Sequence, residues 1–396
     1  MKVLFITHYS TLYGANLSML GLVENLRNRY EVDIIVLANC YGELIDTLSE
    51  KGIKYVVTPY YSWEEKIKKG VVAKLKIKAK QILNFFYFRC AYKKLKNDKF
   101  DIVHSNSSVI HIGDFLSRKF FVPHIWHLRE FGKADYDLDY TYPMKQVAEC
   151  YERATYCIVI SEDMLAYYKK KFPRCRFIKI YNGIIPSPKI DRHGTQNKIE
   201  FCCVGLICEG KRQIDIIYAA SRLLEKGKNK FHINFIGTGE ISYIDYLKEI
   251  VNKSRLDEYI SFLGHQNNVP ELLEAMNIGI MASKREAFGR VTVEYMFASM
   301  PVIGTNSGDT KEIIKNGETG FLYEVGDSCE LAEKMEYFLD NPTEIVVFGE
   351  KARKRAEENF SVKQNTDSCA KVYQTILING GDCLKTQMRS VESYPN

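Results

Sequence analysis

The sequence predicts an α/β protein with two Rossmann-like, doubly wound domains that face a central cleft. Three observations support this fold class: a strand–helix–strand unit at the start of the chain, a break in that pattern at residue 186, and a second strand–helix series that begins at residue 199. The chain has 396 residues, and a usual domain has about 100–200, so two full domains are the default expectation. Hydrophobic residues make up 46% of the chain and charged residues 26%, which is typical of globular proteins.

The first domain is predicted over residues 1–185. It opens with the apolar strand KVLFIT, followed by an amphipathic helix and a second strand, VDIIVLA. Parallel strands need covered faces, so the alternation of strands with helices is expected to continue through this half. The later apolar runs of this domain are at residues 53–57, 101–104, 124–127, 156–160 and 177–180.

The second domain is predicted over residues 199–360. The segment before it, PSPKIDRHGTQNK at 186–198, contains two prolines and a glycine among mostly polar residues, so it is assigned as a linker. A last helix over 361–378 is expected to cross back to the first domain, and residues 379–396 are expected to be a disordered tail. The predicted strands of the second domain are at residues 199–205, 231–237, 260–264, 278–283, 301–305 and 320–325.

The cysteines and the N-terminus indicate a cytoplasmic protein. The eleven cysteines are scattered, with no CxxC and no Cys/His cluster, which is typical of reduced thiols rather than disulfides or a zinc site. The start, MKVLFITHYS, is too short in apolar residues for a signal peptide, and no later run reaches the roughly 20 residues of a membrane span.

The segment KREAFGRVTVE places two carboxylates around the start of a predicted helix. Glu286 falls in a loop after a strand, and Glu294 falls one turn into the helix. Free N–H groups at a helix start favour a phosphate by roughly 0.3–1 kcal/mol, and carboxylates accept hydrogen bonds from hydroxyls. A nucleotide sugar has hydroxyls on both sides of its diphosphate, so it fits this segment. The N–H groups concerned belong to Phe288, Gly289, Arg290 and Val291.

The extended block EAFGRVTVE, PVIGTNSGDTKEII and NGETGFLYEVGD resembles the donor-binding core of retaining glycosyltransferase family 4, the glycosyl transferases group 1, which have the GT-B fold. Four other segments agree with this family: LYGAN around Gly14, WHLREFG around His127, YNGI at 181–184, and VGLICEGKRQ at 204–213. The agreement therefore extends along most of the chain.

The resemblance implies a role for each matching residue. Glu294 would bind the donor's ribose, Glu286 the hydroxyls of the transferred sugar, and Lys211 the diphosphate, where a cation offsets the charge of the leaving group. His127 would lie near the reacting sugar. The expected catalytic residues are thus Glu286, His127 and Lys211, and the expected donor-binding residues are Gly14, Lys211, Arg212, Phe288, Gly289, Arg290, Val291 and Glu294.

The chain departs from the family at two positions. Leu206 stands where the family usually has Arg, and Asp309 stands where a second glycine is common. Arg212, Lys284 and Arg285 are the candidates to replace the missing positive charge.

Several of these residues also have a purely structural interpretation. His127, like His104, follows an apolar strand and is equally expected as a core histidine, and Gly14 and Lys211 also fit an ordinary turn and loop. Asp137 and Asp139 have the DxD spacing that other glycosyltransferases use for a metal, but they are interpreted as a surface loop. No metal is expected.

Residues 66–99 form a basic segment with twelve Lys and Arg residues and one Asp. A solvated face or a nucleic-acid patch is possible, but the interleaved Ile, Leu and Phe residues favour an anionic membrane surface, where about 1 kcal/mol per basic residue is available. Nucleic acid is the less favoured partner. The predicted membrane-contact residues are Lys74, Lys76, Lys78 and Lys80.

We therefore expect a metal-independent, hexosyltransferase-type glycosyltransferase on the inner face of the membrane. It would move a sugar, with retention, from a nucleotide-diphosphate donor to a glycan or lipid-linked acceptor, in cell-surface polysaccharide or glycolipid biosynthesis. No cofactor is expected beyond the donor substrate. The alternatives are another GT-B enzyme, such as a sugar-nucleotide epimerase or a phosphorylase, and a non-catalytic nucleotide-sugar or RNA-binding protein.

Overall fold

The structure is a computed structural model that describes residues 1–67, 69–133, 137–190 and 198–391. The chain divides into two compact units. The first unit contains Met1–Gly183 and the segment that begins at Val362, and the second unit contains Ile184–Ser361. The chain thus leaves the first unit once and returns to it at the last helix.

The first unit is built on a seven-stranded sheet in the order β3-β2-β1-β5-β6-β8-β9, with parallel pairing throughout. Residues 3–6 of its central strand β1 are fully buried, as expected of an apolar strand covered on both faces. Two short strands, β4 and β7, pair antiparallel outside this sheet. The strands are β1 Lys2–Ile6, β2 Asp33–Ala38, β3 Lys54–Val57, β4 Glu64–Glu65, β5 Ile102–Ser105, β6 His124–Leu128, β7 Asp139–Tyr140, β8 Tyr156–Val159 and β9 Phe177–Lys179.

Helices connect the strands of the first unit and cover its sheet. Capping follows the local sequence: Ser161 accepts a hydrogen bond from the Met164 N–H at one helix start, and Glu31 takes a left-handed conformation (φ 51°) after another helix end. The helices are α1 Gly14–Tyr30, α2 Glu43–Glu50, α3 Val71–Leu95, α4 Ile112–Phe120, α5 Met144–Arg153 and α6 Glu162–Lys171, with the last helix of the chain, Val362–Val391, added from its far end.

The second unit is built on a six-stranded parallel sheet in the order β12-β11-β10-β13-β14-β15. Its strands are β10 Ile199–Val204, β11 Phe231–Ile236, β12 Ile260–Gly264, β13 Ile278–Met281, β14 Val302–Thr305 and β15 Gly320–Tyr323. Its helices are α7 Gln213–Glu225, α8 Ile241–Lys253, α9 Val269–Leu272, α10 Arg290–Phe297, α11 Thr310–Ile313, α12 Ser328–Asp340 and α13 Glu344–Asn359. Two doubly wound α/β domains, as the sequence predicts, are thereby confirmed.

The boundary between the two units differs from the expected one. The units divide between Gly183 and Ile184, and the Ile184 N–H donates to the Phe360 carbonyl at 2.9 Å, so the start of the predicted linker at 186 already lies in the second unit. Residues 191–197 of that linker lie outside the described residues.

The last helix, α14 (Val362–Val391), packs on the first unit. The Asp367 carboxylate accepts hydrogen bonds from Tyr30 at 2.8 Å and Arg29 at 2.7 Å, and the buried Tyr373 joins the core beside α1. The helix continues past residue 379 to Val391, in the range where the sequence predicts a disordered tail. No proline occurs between residues 362 and 391, and each residue added to a formed helix gains a hydrogen bond. Residues 392–396 lie outside the described residues.

No helix in the described part of the chain combines the length and the apolar character needed to cross a bilayer.

Candidate active site

The second unit has a topological switch point between β10 and β13. From β10 the chain proceeds outward through β11 and β12, whereas β13, β14 and β15 extend in the opposite direction. Ligands of doubly wound sheets bind outside the carboxyl ends of the strands at such a point. The loops that follow β10 and β13 contain Lys211 and Glu286, two of the predicted site residues.

Lys211 and Glu286 form an ion pair at this switch point. The Lys211 ammonium contacts the Oε1 oxygen of Glu286, and both side chains are only partly exposed. The two loops are also joined by their backbones, because the Lys284 N–H donates to the Gly210 carbonyl at 2.9 Å. A cation and a carboxylate from distant parts of the sequence therefore lie side by side.

The loop after β13 leads directly into α10. Gly289 precedes the helix in a left-handed conformation (φ 67°), and its carbonyl accepts the Thr292 N–H at 3.0 Å. The N–H groups of the first turn, such as that of Val291, point out of the helix at its start. Helix α10 begins at Arg290, and Glu294 lies one turn into it, partly exposed, with its Oε1 3.4 Å from Arg290. Phe288 is buried.

A third loop, after β14, fixes the backbone of Glu286. A Cβ on Gly308 would lie 2.6 Å from the Glu286 carbonyl oxygen and 2.8 Å from its nitrogen, and φ at this glycine is 53°. The Asp309 N–H donates to the Glu286 carbonyl at 3.1 Å. Asp309, at the position where a second glycine is common in the family, is itself buried, so this loop is part of the packed structure beneath the site.

The missing arginine at position 206 has no simple replacement in the same loop. Leu206 is exposed, and its carbonyl accepts a hydrogen bond from the Gln213 side chain at 3.0 Å. Arg212 contacts both oxygens of Asp215, at 2.6 and 2.8 Å, and this carboxylate raises the pKa of the guanidinium. The charge of Arg212 is therefore balanced by Asp215. Lys284 and Arg285 are exposed.

In the first unit, Gly14 is the first residue of α1. The loop before it is held by Asn16, whose side-chain amide donates to the carbonyls of Tyr9 at 2.9 Å and Thr11 at 2.8 Å. Asn106, just after β5, donates to the Ala15 carbonyl at 3.1 Å. The start of α1 is thus anchored at the carboxyl ends of β1 and β5, which is the switch point of this sheet.

His127 lies on β6 and is completely buried. Its Nδ1 is 3.2 Å from Nε2 of His104 and 3.4 Å from the Arg129 guanidinium, while its Nε2 has no hydrogen-bond partner among the described residues. Burial, followed by the charge of Arg129, holds the pKa of His127 well below its usual value. It is therefore a neutral imidazole in a polar cluster.

Sequence reasoning missed two members of this cluster. Arg129 donates to the Asn106 side chain at 2.7 Å and also contacts the Asn182 side-chain oxygen, and the Tyr373 hydroxyl lies 2.7 Å from Nδ1 of His104. Arg129 is only two positions from His127, which the family resemblance already identifies. This closeness in sequence is the signal that could have indicated Arg129. Tyr373 has no such signal, because it lies 269 positions from His104.

Asp137 is exposed, whereas Asp139 is half-buried and begins the short strand β7 instead of lying in a surface loop, and the two carboxylates share one partner. Each carboxylate lies 2.7 Å from the ammonium of Lys133, which lowers the pKa of Asp137. Within residues 1–67, 69–133, 137–190 and 198–391, no group of three or more His, Cys, Asp or Glu side chains has a metal-binding arrangement. These two aspartates are thus arranged around a lysine.

The basic segment contains the long helix α3, which is apolar on two faces. Its inward face buries Asn84, Phe88, Ala91 and Leu95. Its outward face carries Leu75, Ile82 and Phe86, which are 64%, 59% and 56% exposed. These three residues are seven and four positions apart, so they share one side of the helix.

Of the four predicted membrane-contact lysines, three are exposed and one forms a salt bridge. Lys74, Lys76 and Lys78 are exposed around the outward apolar residues, whereas the Lys80 ammonium contacts the Glu65 carboxylate. The structure therefore separates Lys80 from the other three.

Two family models match the chain, one in each half. Residues 13–187 match the family described as Glycosyltransferase Family 4, and residues 189–355 match Glycosyl transferases group 1. The Bacillus anthracis N-acetyl-alpha-D-glucosaminyl L-malate synthase is 29% identical over 167 residues, which cover 42% of this chain and 43% of that protein. The Staphylococcus aureus capsular polysaccharide biosynthesis glycosyltransferase CapM is 30% identical over 178 residues, which cover 44% and 45%. The matched region thus spans less than half the length of these relatives.

Solved structures show the same architecture over nearly the whole chain. Anabaena Alr3699/HepE in complex with UDP superimposes with a TM-score of 0.74 at 19% identity, covering 95% of this chain and all of that one. A mutant of the Staphylococcus aureus TarM, in complex with fondaparinux, alpha-GlcNAc-glycerol and UDP, gives 0.73 at 14% identity, covering 94% and 100%. With its two doubly wound sheets and the two family models that cover most of residues 13–355, the chain is identified as a member of the GT-B glycosyltransferases.

Proposed function

We propose that the protein is a metal-independent, retaining glycosyltransferase of the hexosyltransferase type. It transfers a sugar from a nucleotide-diphosphate donor to a glycan or lipid-linked acceptor. The observation that carries this proposal is the Lys211–Glu286 ion pair at the switch point of the second unit, next to the start of α10. This arrangement supplies a cation, a carboxylate and a helix start at one place, and a sugar diphosphate needs all three.

The donor's diphosphate binds at the start of α10. The N–H groups of the first turn point out of the helix there, and the helix dipole favours a negative group. Gly289 has no side chain to keep a phosphate away. Lys211 adds a full positive charge within reach of the same group, because it already lies against the loop that leads to α10.

The two glutamates hold the groups on either side of the diphosphate. Glu294 accepts hydrogen bonds from the ribose hydroxyls, and its position one turn into α10 leaves its side chain partly exposed for this contact. Glu286 accepts from a hydroxyl of the transferred sugar. Its second oxygen, Oε2, is the one available for the sugar, since Oε1 contacts Lys211.

Charge stabilisation is the main catalytic contribution of these residues. As the bond to the diphosphate breaks, negative charge builds on the leaving oxygen, and Lys211 and the N–H groups of α10 offset it. The acceptor oxygen bonds to the anomeric carbon on the face from which the diphosphate departs, and the departing phosphate takes the acceptor's proton. This gives retention without a covalent intermediate. Glu286 is held by Lys211, which suits a binding carboxylate better than a nucleophile.

The acceptor is proposed to be a glycan or a lipid-linked saccharide of the cell surface. CapM, which is named for capsular polysaccharide biosynthesis, supports this class. We also propose that α3 rests on an anionic, cytoplasmic membrane surface. Its outward Leu75, Ile82 and Phe86 would enter the interface, while the neighbouring exposed lysines bind lipid headgroups.

The donor is tested by thermal unfolding with UDP-, GDP- and ADP-sugars, followed by a transfer assay with the donor that binds. A ligand at 100 times its Kd adds about 2.7 kcal/mol of stability, so a true donor raises the unfolding temperature clearly. The HepE complex with UDP makes UDP-sugars the first choice. Hydrolysis or epimerisation of the donor without transfer would favour the other GT-B enzymes, and binding without any turnover would favour a non-catalytic protein.

A further inference from the structure

A chain of three polar side chains runs through the core of the first unit. It starts at Tyr373 on α14, whose hydroxyl is 2.7 Å from Nδ1 of His104. It continues through Nε2 of His104, which is 3.2 Å from Nδ1 of His127. All three side chains are completely buried. The last atom of this hydrogen-bonded series is Nε2 of His127, which has no partner among the described residues.

Arg129 determines the direction of these hydrogen bonds. Its guanidinium carries donors only and lies 3.4 Å from Nδ1 of His127, so a proton on that nitrogen would face another donor. Nδ1 of His127 is therefore an acceptor, and Nε2 of His104 is the N–H that donates to it. With its own proton on Nε2, His104 accepts at Nδ1 from the Tyr373 hydroxyl.

The protonation state agrees with this arrangement. Burial, followed by the charge of Arg129, holds the pKa of both His104 and His127 well below the usual value. Each imidazole therefore carries a single proton at neutral pH. A neutral His127 that accepts at Nδ1 must have its proton on Nε2.

We propose that Tyr373 is a positioning residue: acting through His104, and together with Arg129, it holds His127 in the tautomer that carries its proton on Nε2. His127 is then a hydrogen-bond donor at Nε2, not a base. Its part in the transfer reaction rests on the function proposed above, whereas the tautomer does not. The final helix of the chain would thus take part in the reaction without touching the substrate.

The tautomers are measured by 15N NMR of the full chain labelled at histidine, with the two signals assigned through His104→Gln and His127→Gln. Protonated and unprotonated ring nitrogens have well-separated shifts. We expect Nε2 protonated and Nδ1 unprotonated in both histidines. A proton on Nδ1 of His127 would overturn the proposal, whether or not the protein transfers a sugar.

Tyr373→Phe tests the role of the hydroxyl. It removes the donor to His104, so the His104 signals should shift toward a mixture of tautomers and the His127 signals should follow. In the transfer assay kcat should fall about three- to tenfold, the value of one hydrogen bond, while the Kd for the donor nucleotide stays unchanged. Unchanged histidine signals in this variant would remove Tyr373 from the mechanism.

Tyr30→Phe is the matched control. The Tyr30 hydroxyl also ties α14 to the first unit, through Asp367 at 2.8 Å, but it contacts neither histidine. It removes a hydrogen bond that attaches α14 and should leave the histidine signals and kcat as in the wild type. If both variants lower kcat equally, the effect is the attachment of α14 and the proposal fails. Expected tautomers without any sugar transfer would overturn only the proposed function.

Discussion

The Lys211 ammonium lies against one carboxylate oxygen of Glu286, although 75 positions separate the two residues in the sequence. The contact exists because β10 and β13 are neighbours in the sheet and their following loops meet. An ion pair that remains partly exposed contributes little to stability, typically about 0–1 kcal/mol. We therefore expect the ion pair to act in donor binding and turnover rather than in stability.

Glu286→Gln should lower turnover more than donor affinity. The amide keeps the shape of the side chain and can still bond a sugar hydroxyl, but it no longer holds the Lys211 ammonium by charge, so the cation is less well placed in the transition state. Steady-state kinetics give kcat, and calorimetry gives the Kd for the donor. Glu258→Gln, at an exposed position of the same unit, is the control. Equal losses in kcat and affinity would make Glu286 a simple binding residue.

Glu294→Ala should weaken donor binding and leave the fold intact. The side chain is partly exposed and its contact with Arg290 is 3.4 Å long, so its removal should change the free energy of unfolding by less than about 0.5 kcal/mol. Titration calorimetry and urea unfolding measure the two quantities on the same sample. An unaltered donor Kd would exclude Glu294 from the ribose contact.

Gly308→Ala should destabilise the second unit and displace Glu286. The added methyl group would meet the Glu286 backbone at 2.6 and 2.8 Å, at a residue whose φ is 53°, and such substitutions cost about 1 kcal/mol or more. Urea unfolding and donor binding should both be affected. Gly210→Ala is the control for stability, because nothing lies within 4 Å of its added Cβ. Equal stability of the two variants would contradict the close packing of the third loop.

The free energy of unfolding should fall as the pH falls below about 6.5. Burial lowers the pKa of His124 to about 4, and it holds those of His104 and His127 well below the usual value. Between the two pKa values, the unfolded protein binds protons at these histidines and the folded protein does not. The stabilisation is therefore complete above the pKa of the unfolded state and is lost as the pH falls toward the pKa of the folded state. The slope is up to about 1.4 kcal/mol per pH unit for each histidine.

Urea unfolding between about pH 7.5 and 5 checks this slope. His124→Gln removes one of these buried imidazoles and should therefore reduce the slope. An identical pH dependence in the wild type and in His124→Gln would show that His124 is not buried as a neutral group.

Reversing the charge of the exposed lysines on α3 should abolish binding to anionic vesicles. Lys74, Lys76 and Lys78 are changed together to Glu, and Lys80 is left in place because Glu65 already engages it. Each change replaces attraction with repulsion, and high salt should imitate the loss by screening. Sedimentation with phosphatidylglycerol vesicles measures binding, with uncharged vesicles alongside.

The matched control carries the same charge change elsewhere, at the exposed Lys169, Lys170 and Lys354. It should still sediment with anionic vesicles. Transfer to a soluble acceptor fragment should survive in both variants. The contrary outcome is that the wild type does not bind the vesicles but retards RNA in a gel with a steep salt dependence. In that case the membrane interpretation is wrong and α3 binds nucleic acid.

The parts of the fold that the sequence predicts are those with local signals. Strand β1 is a continuous apolar run, and α10 follows a glycine that permits the left-handed turn before it. The two-faced helix α3 is harder to recognise, because apolar residues on both sides leave no clear period of 3.6. The helical residues past 379 are also hard to predict, because their polar composition resembles that of a tail.

The sequence predicts candidate residues for the site but not the contacts among them. The motif predicts Glu286, Glu294 and Lys211, and strand order then brings two of them together. No local pattern indicates that Asp215 takes up the charge of Arg212, or that Tyr373 reaches His104 from the other end of the chain. Such pairings depend on the tertiary fold, where sequence separation carries no information.

The attachment of α14 to the first unit also affects the order of events during synthesis. The ribosome makes residues 1–183 first, then the whole second unit, and only then the helix that completes the first core with Cys369 and Tyr373. The second unit is contiguous and can fold as soon as it emerges, whereas the first must wait with part of its apolar surface uncovered. The nascent chain therefore has an interval in which a chaperone can shield the unfinished half.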